Sequence, residues 1–326
     1  MKGKDAFFAA VEEVSEVPHL LADSGAFSAW NSGQKIDLAA YARFLAAEQE
    51  WIFMPVNLDV IAGTEDEWPT PNACEHASIQ GYENWLELRR LGVETMPVYH
   101  QDDASHWLYR YLEEGAVYIG VSPNKSYPAA IWQRWMYNVL WELDKSGGLN
   151  RDFFTHGFGV FAPTFLPQLR ERMWSADATN MMRFTTMRRI LLPLDESGTP
   201  TMVGPLTRLP AVYVGRLPNR APKNVDWKAV ADYLRALSVD QHYFEQPCGR
   251  LVAKNLRAIA SVNIHAMRVV MRTSGVRIFI AGFDHRVLYQ ISQERYPYVL
   301  RSFAHLSEQD TLRDLYFRNL RPPRRK

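Results

Sequence analysis

The 326-residue sequence lacks several features that would place it in a large class of proteins at once. It contains only two cysteines, Cys74 and Cys248, so neither a disulfide framework nor a thiolate zinc site is expected. No apolar run approaches the ~20 residues that cross a bilayer, and acidic residues interrupt the N-terminal stretch where a signal peptide needs an unbroken apolar core. The sequence therefore predicts a protein of a reducing cytoplasm with no membrane partner.

Glycine motifs for nucleotide binding are also absent. No GxGxxG or GxxxxGK[ST] pattern follows a predicted strand, which argues against a doubly wound nucleotide-binding sheet. The composition otherwise fits a folded globular protein, with 47% hydrophobic and 22% charged residues. These proportions exclude a disordered chain, a collagen-like chain and a coiled coil.

The net charge of +1 conceals a strong asymmetry along the chain. From Ala178 onward, 24 Lys and Arg stand against 11 Asp and Glu, a balance of +13. The first 177 residues hold 13 basic and 25 acidic residues, a balance of −12. A cationic half favours a polyanionic partner, most simply nucleic acid. The alternative is that the two halves neutralise each other across an internal interface.

Six short apolar runs alternate with amphipathic stretches between residues 19 and 178. The runs are HLLADSGAF, WIFMPVNLDV, TMPVYH, AVYIGVSP, FFTHGFGV and WSADA. Segments between them, such as IDLAAYARFLAAEQ, and FLPQLRERM near the end have helical spacing. Gly92, Gly115 and Gly147 follow three of the predicted helices, as C-caps do. Consecutive βα units predict an α/β fold with a parallel sheet.

Polar side chains recur at the carboxyl ends of these runs: Asp23, Asp59, His100, Ser122, His156 and Asp177. Strand ends converge on one mouth in a (β/α)8 barrel, whereas an open sheet concentrates its site at a switch point. Six contributing strands favour a TIM-type (β/α)8 barrel, whose main part is residues 1–185. Residues 186–224, rich in Pro and Gly, are predicted to be an insertion of short strands or loops. The basic helical region 225–326 is expected to complete the barrel and bind nucleic acid.

The segment LADSGAFSAW at residues 21–30 resembles the D-[SG]-G-[AG]-F-[QS] motif of the tRNA-guanine transglycosylase superfamily. In chain order, NLDV, PVYH, YIGVS, HGFGV and WSADA are similar to the strand ends of that family's barrel. The resemblance covers roughly residues 19–180 and is closest to the phage branch, the 7-deazaguanine DNA transglycosylases. It implies a glycosyltransferase that exchanges guanine in DNA for a 7-deazaguanine such as preQ0, acting in the host cytoplasm if the chain is phage-encoded.

The resemblance also implies a role for each matching residue. Asp177 corresponds to the nucleophilic carboxylate, and Asp23 corresponds to the general acid/base. The base-binding residues are Ser24, Gly25, Asp59, His100 or its neighbour Gln101, Gly120, Gly157 and Gly159. The chemistry independently favours carboxylates, because one must attack C1′ and another must move protons between bases. Each Asp also has an alternative as a turn or helix-cap residue.

The chain departs from the family in one respect. The tRNA-modifying relatives carry a zinc subdomain built on several cysteines, whereas only Cys248 lies in the matching region, so no zinc or other cofactor is expected. Contacts to DNA phosphates are predicted for Arg250, Lys254 and Arg257, whose spacing puts them on one helix face. The alternatives are a tRNA-guanine transglycosylase, a sugar hydrolase on the same fold, and a non-catalytic nucleic-acid-binding barrel.

Overall fold

The computed structural model describes residues 20–49, 52–63, 69–145, 154–160, 162, 165–169, 172–178, 184, 189–201, 206–210, 224–236, 259, 262, 263, 265–267, 269–271 and 274–280. They belong to two compact units. The N-terminal unit holds the described residues of 19–159 and 171–176, and the C-terminal unit holds those of 160–170 and 177–308. The predicted division at residues 185 and 224 stays a prediction.

Strands and helices alternate through the N-terminal unit. They are β1 (Leu20–Ala22), α1 (Ala26–Ser32), α2 (Leu38–Glu48), β2 (Ile52–Pro55), α3 (Pro71–Arg90), β3 (Val98–His100), α4 (Ser105–Glu113), β4 (Tyr118–Ser122), α5 (Ala129–Lys145), β5 (Phe154–Gly157) and β6 (Ser175–Ala178), the last of which continues into the C-terminal unit. Each of the six apolar runs forms a strand, which confirms that prediction.

The strands of the N-terminal unit are parallel. β1 pairs with β2, and β3, β4, β5 and β6 follow one another in a second sheet. A further strand, β9 (Arg277–Ile280), belongs to the C-terminal unit. A parallel bridge between Val56 and Met96 joins the residue after β2 to the approach to β3. The predicted α/β class with a parallel sheet is therefore confirmed.

The helices begin and end where the local sequence supplies partners for free backbone groups. The Asp37 carboxylate accepts a backbone N–H from the first turn of α2, and the Thr70 hydroxyl does the same for α3. Gly92 and Gly115 follow α3 and α4 with φ of 79° and 85°, a conformation that strains residues with a Cβ. Both confirm the predicted C-caps, and Gly147 lies outside the described residues.

Helix α3 packs its apolar face under the strands. Trp85 and Leu88 are fully buried, and the Trp85 indole donates a hydrogen bond to the Thr95 carbonyl at 3.0 Å. Burying each side chain stabilises the fold by roughly 1.5–3 kcal/mol. Leu88 shares a buried apolar cluster with Ile52 of β2 and with Leu45 of α2, so helix α3 packs beside β2.

In the C-terminal unit, β7 (Arg189–Pro193) and β8 (Leu206–Pro210) form an antiparallel pair, followed by α6 (Trp227–Ala236). The short strands expected for the 186–224 segment are therefore present. The Asn263 side chain bonds the backbone of β7, accepting from the Leu191 N–H at 2.8 Å and donating to the Arg189 carbonyl at 3.0 Å. These bonds satisfy polar groups along β7.

One local prediction needs correction, and one helix was not predicted. The helix expected over FLPQLRERM is, in its described part, one 3-10 turn at Leu166–Leu169, whose Gln168 N–H bonds the Phe165 carbonyl at 2.9 Å. Pro167 has no N–H to donate, so a regular helical hydrogen bond is missing at that residue. Helix α1 was not expected, since it spans seven residues and its N-cap, Gly25, has no capping side chain.

Candidate active site

The carboxyl ends of the parallel strands lie along one edge of the sheet. His100 at the end of β3 pairs with Ser122 at the end of β4, and Gly157 at the end of β5 pairs with Ala176 in β6. Asp177 is the next residue of β6. Sites in parallel α/β sheets occur at this edge.

The loop after β2 is fastened to helix α3 by side-chain amides. Asn57 donates to the Gly81 carbonyl at 2.8 Å, and Asn84 donates to the Leu58 carbonyl at 2.8 Å. A Cβ at Gly81 would lie only 3.9 Å from the Asp59 Cα, so the helix backbone approaches the loop closely. The position of Asp59 is therefore set by contacts on both sides of it.

Both carboxylate oxygens of Asp59 have partners. The Ser24 hydroxyl donates to Oδ1 at 3.2 Å, and His100 Nε2 lies 3.0 Å from Oδ2. Ser24 Oγ also accepts the Ala26 N–H at 3.2 Å, across the turn in which Gly25 has a φ of 77°. The contact between His100 Nε2 and Asp59 is an ion pair when the imidazole is protonated.

Carboxylates surround His100. Asp103 accepts the backbone N–H of His100 at 2.8 Å and the Ser78 hydroxyl at 2.8 Å. Burial alone would lower the pKa of the His100 imidazole, but Asp59, Asp103 and Asp102 outweigh burial and raise that pKa to about 9. His100 is therefore a cation at neutral pH. Burial raises the pKa of Asp103, although its contacts with His100 and Ser78 oppose this effect.

Gln101 and Asp102 join the loop after β3 to the loop after β4. The Gln101 side-chain carbonyl accepts the Asn124 N–H at 3.0 Å. Asp102 accepts the Asn124 amide at 2.9 Å and the Tyr127 hydroxyl at 3.0 Å. Of the two residues proposed to read the base, His100 contacts Asp59 and Gln101 fastens a neighbouring loop.

Asp23 follows β1 and is exposed at the same end of the strands. Burial raises the pKa of the Tyr41 phenol, and the charges of Asp23 and Asp59 add to this shift. The Tyr41 hydroxyl donates to the Val56 carbonyl at 2.7 Å. The charges of Asp23 and Asp59 thus both act on the same buried phenol. Both carboxylates therefore lie near the carboxyl ends of β1 and β2.

The neighbouring strands carry a buried hydrogen-bonded network. Ser175 Oγ lies 2.7 Å from His156 Nδ1 and 2.5 Å from the Tyr118 hydroxyl, and all three side chains are buried. The Phe158 ring stacks edge-on against His156, with centroids 4.6 Å apart, and covers Gly120 so closely that a Cβ there would collide with it. In this structure Phe158 therefore occupies the face of Gly120 that was expected to meet a base.

The remaining candidates differ in exposure. Gly157 is buried within β5, whereas Gly159 is exposed with a φ of 62°, beside the Lys125 side chain. Asp177 is half-buried at the end of β6. Gly159 is the only one of these positions whose backbone conformation favours glycine.

Some predictions fall where the structure gives no test. The three residues proposed to contact phosphates, Arg250, Lys254 and Arg257, lie outside the described residues. In the described ranges, no group of three or more His, Cys, Asp or Glu side chains is arranged to hold a metal ion. None of the helices in those ranges is long and apolar enough to cross a membrane.

Two side chains at this edge were not singled out from the sequence. Asp103 holds the backbone of His100, but an Asp in the loop QDDAS carries no signal beyond a turn. Phe27 is 61% exposed on α1 and stacks on Trp30, whose indole donates to the Gly63 carbonyl at 2.8 Å. An exposed, supported ring near strand ends is suited to stacking on a base. The sequence signal that could have identified Phe27 was its position four residues after Asp23.

Comparison with known proteins adds no relative. The chain matches no protein-family model, and no curated protein is significantly similar to it.

Proposed function

We propose that this protein is a DNA-guanine transglycosylase that exchanges guanine in DNA for a 7-deazaguanine base, built on a TIM-type (β/α)8 barrel. The observation that carries the proposal is the fixed Asp59 carboxylate, held between the Ser24 hydroxyl and the His100 imidazolium at the strand ends. Such a carboxylate suits the N1–H and exocyclic amine of guanine, two donors on one edge.

Two further carboxylates have the chemistry that base exchange needs. Asp177 attacks C1′ of the target nucleotide, the C1′–N9 bond breaks, and the departing guanine takes a proton from the acid form of Asp23. Asp23 then removes the N9 proton of the incoming base, N9 attacks C1′, and the sugar–Asp177 ester bond breaks. Both side chains return to their starting states, so no cofactor is consumed.

The supports for a barrel are the consecutive parallel strands and the candidate residues at their carboxyl ends. A target base inside duplex DNA must leave the stack to reach such an edge. The +13 charge of residues 178–326 supplies cations for the phosphates of the polymer. This charge favours nucleic acid over a simple sugar as substrate.

Labelled guanine, incubated with the protein and either duplex DNA or tRNA, tests the proposal. The expected result is label in DNA, none with Asp177→Asn, and unchanged labelling with Asp232→Asn, a matched change in an exposed pair with Arg235. Label in tRNA alone would support the tRNA-modifying alternative. Absence of label in both polymers with wild-type protein would overturn base exchange.

A further inference from the structure

The Asp59–His100 pair is built so that the imidazole faces the carboxylate. Asp59 is 12% exposed and His100 is 22% exposed, with 3.0 Å between Oδ2 and Nε2. A charge pair this close and this sheltered from water is screened weakly. The charges of Asp59 and Asp103 both act on His100, and the Asp59 carboxylate is in direct contact with Nε2.

The backbone of His100 is fixed from several directions. Asp103 accepts its N–H, Ser78 holds the other oxygen of Asp103, and the Tyr99 hydroxyl donates to the Asp103 carbonyl at 3.2 Å. His100 also pairs with Ser122 in the neighbouring strand. These contacts hold the ring beside Asp59 before any ligand arrives.

We propose that His100 is a positioning residue that acts through Asp59, holding that carboxylate in place as an acceptor, and that it does not itself bind the base. This role rests on the proposed function, in which Asp59 accepts the guanine N1–H and amine. A carboxylate that accepts hydrogen bonds from two donors does so with both oxygens in the ionised form. In the protonated form one oxygen carries a hydrogen, which would face the hydrogen of the donor. The sequence resemblance implied instead that His100 or Gln101 contacts the base directly.

The groups around the pair explain why a cation is needed there. The charges of Asp102 and Asp103, in the loop that follows His100, raise the pKa of His100. The charges of Asp103 and Asp59 raise the pKa of Tyr111 on α4, and those of Asp23 and Asp59 raise the pKa of Tyr41 on α2. The charges of Asp102 and Asp103 also raise the pKa of Cys74 on α3. In His100→Gln, Asp59 keeps the Ser24 hydroxyl at Oδ1 and loses the cation beside Oδ2.

Free guanine, titrated into the ligand-free protein by calorimetry at pH 7, tests the role. With His100→Gln, which keeps a donor and removes the charge, guanine binding should weaken by about tenfold, because Asp59 loses the cation that holds its Oδ2 atom. The control is His106→Gln, at an exposed histidine of α4, and it should leave the affinity for guanine unchanged.

Two readings separate this role from direct contact. 6-Thioguanine keeps the N1–H and the exocyclic amine of guanine and replaces O6 by a weakly accepting sulfur atom, so a base contact by His100 would make His100→Gln lose the preference for guanine over 6-thioguanine. Equal weakening of both bases is expected if His100 acts through Asp59. Loss of that preference, or an unchanged affinity for both bases, overturns the positioning role and leaves base exchange intact. A wild-type protein that binds no guanine at any pH overturns the proposed function, and this role with it.

A measurement on variants that keep His100 guards against a folding defect in His100→Gln. Titration of the His100 ring by NMR should give a midpoint near 9 in the wild type, the value to which its surroundings raise the pKa. In Asp59→Asn the midpoint should fall by at least about one unit, because the closest opposite charge is gone. Equal midpoints would show that the pair is not coupled, and the role would fail whatever the binding results.

Discussion

The two sides of the strand edge in the N-terminal unit use the same backbone arrangement for different chemistry. At the ends of β1 to β3, Asp59 and His100 form an ion pair, and both remain partly exposed. Along β4 to β6, Tyr118, His156 and Ser175 form a buried hydrogen-bonded network. Burial of a charge is costly unless it is paired, and buried polar groups need hydrogen-bond partners. The first region therefore carries the charged groups that the proposed base recognition uses, whereas the second is held together by buried hydrogen bonds.

The largest effect should follow loss of charge in the first region. Asp59→Asn replaces an acceptor by a group that presents a donor to the guanine edge and leaves His100 without its closest counter-charge. We expect base exchange, measured as kcat/KM for labelled guanine, to fall about 10³-fold, since a site built for hydrogen bonds rejects a mismatched edge strongly. Glu87→Gln, which breaks an exposed pair with Arg90, is the control. Equal activity of the two variants would remove Asp59 from the site.

The second effect is on stability as the pH rises. The pKa of His100 is raised from 6.5 to about 9 in the folded protein, so its contribution is complete below 6.5 and is lost as the pH passes 9. At ~1.4 kcal/mol per unit the upper limit of this contribution is about 3 kcal/mol. The free energy of unfolding should therefore fall more steeply between pH 6.5 and 10 in the wild type than in His100→Gln. Parallel curves would contradict the raised pKa.

The third prediction concerns the buried network of the second region. Ser175→Ala leaves the Tyr118 hydroxyl and His156 Nδ1 without the partner they share, and we expect a loss of about 2 kcal/mol in the free energy of unfolding. Tyr118→Phe removes one donor and should cost about 1 kcal/mol. Urea denaturation measures both. If Ser175→Ala costs no more than Tyr118→Phe, the serine does not link the other two residues.

A fourth effect, comparable in size to the third, should come from the contact between Phe158 and Gly120. Gly120→Ala places a methyl group against the Phe158 ring, which must move, and we expect a loss of about 1–2 kcal/mol. Shortening the side chain in Gly120→Ala/Phe158→Leu should recover more stability than the single changes predict when added. If the losses in the free energy of unfolding, measured by urea denaturation, are additive, the Phe158 ring moves aside without cost.

Much of the fold was visible in the sequence, because short apolar runs bounded by turn residues determine where parallel strands lie. Helix ends were predictable where glycine adopts a positive φ, as at Gly92 and Gly115. Helix α1 was not, since its N-cap Gly25 offers no side chain and its seven residues give almost no periodicity. The 3-10 turn at Leu166–Leu169 has helical spacing but lacks the hydrogen bonds of a longer helix.

The members of the candidate site were more predictable than their contacts. Asp59 and His100 follow apolar runs, which placed each of them at a strand end. Their pairing depends on the link between β2 and β3 through Val56 and Met96, and no local pattern reveals it. The choice between His100 and Gln101 was likewise open, because side chains alternate across a strand and only the pairing shows which one faces Asp59.

A covalent intermediate on Asp177 is the most direct test of base exchange. The protein, incubated with a short guanine-containing DNA duplex and no incoming base, is denatured, and its mass and proteolytic peptides are measured. We expect the protein to gain the mass of one DNA strand minus one guanine. This adduct should be attached to Asp177 and absent in the Asp177→Asn variant. Exchange of labelled guanine without such an adduct, or an adduct that persists in Asp177→Asn, would contradict this expectation.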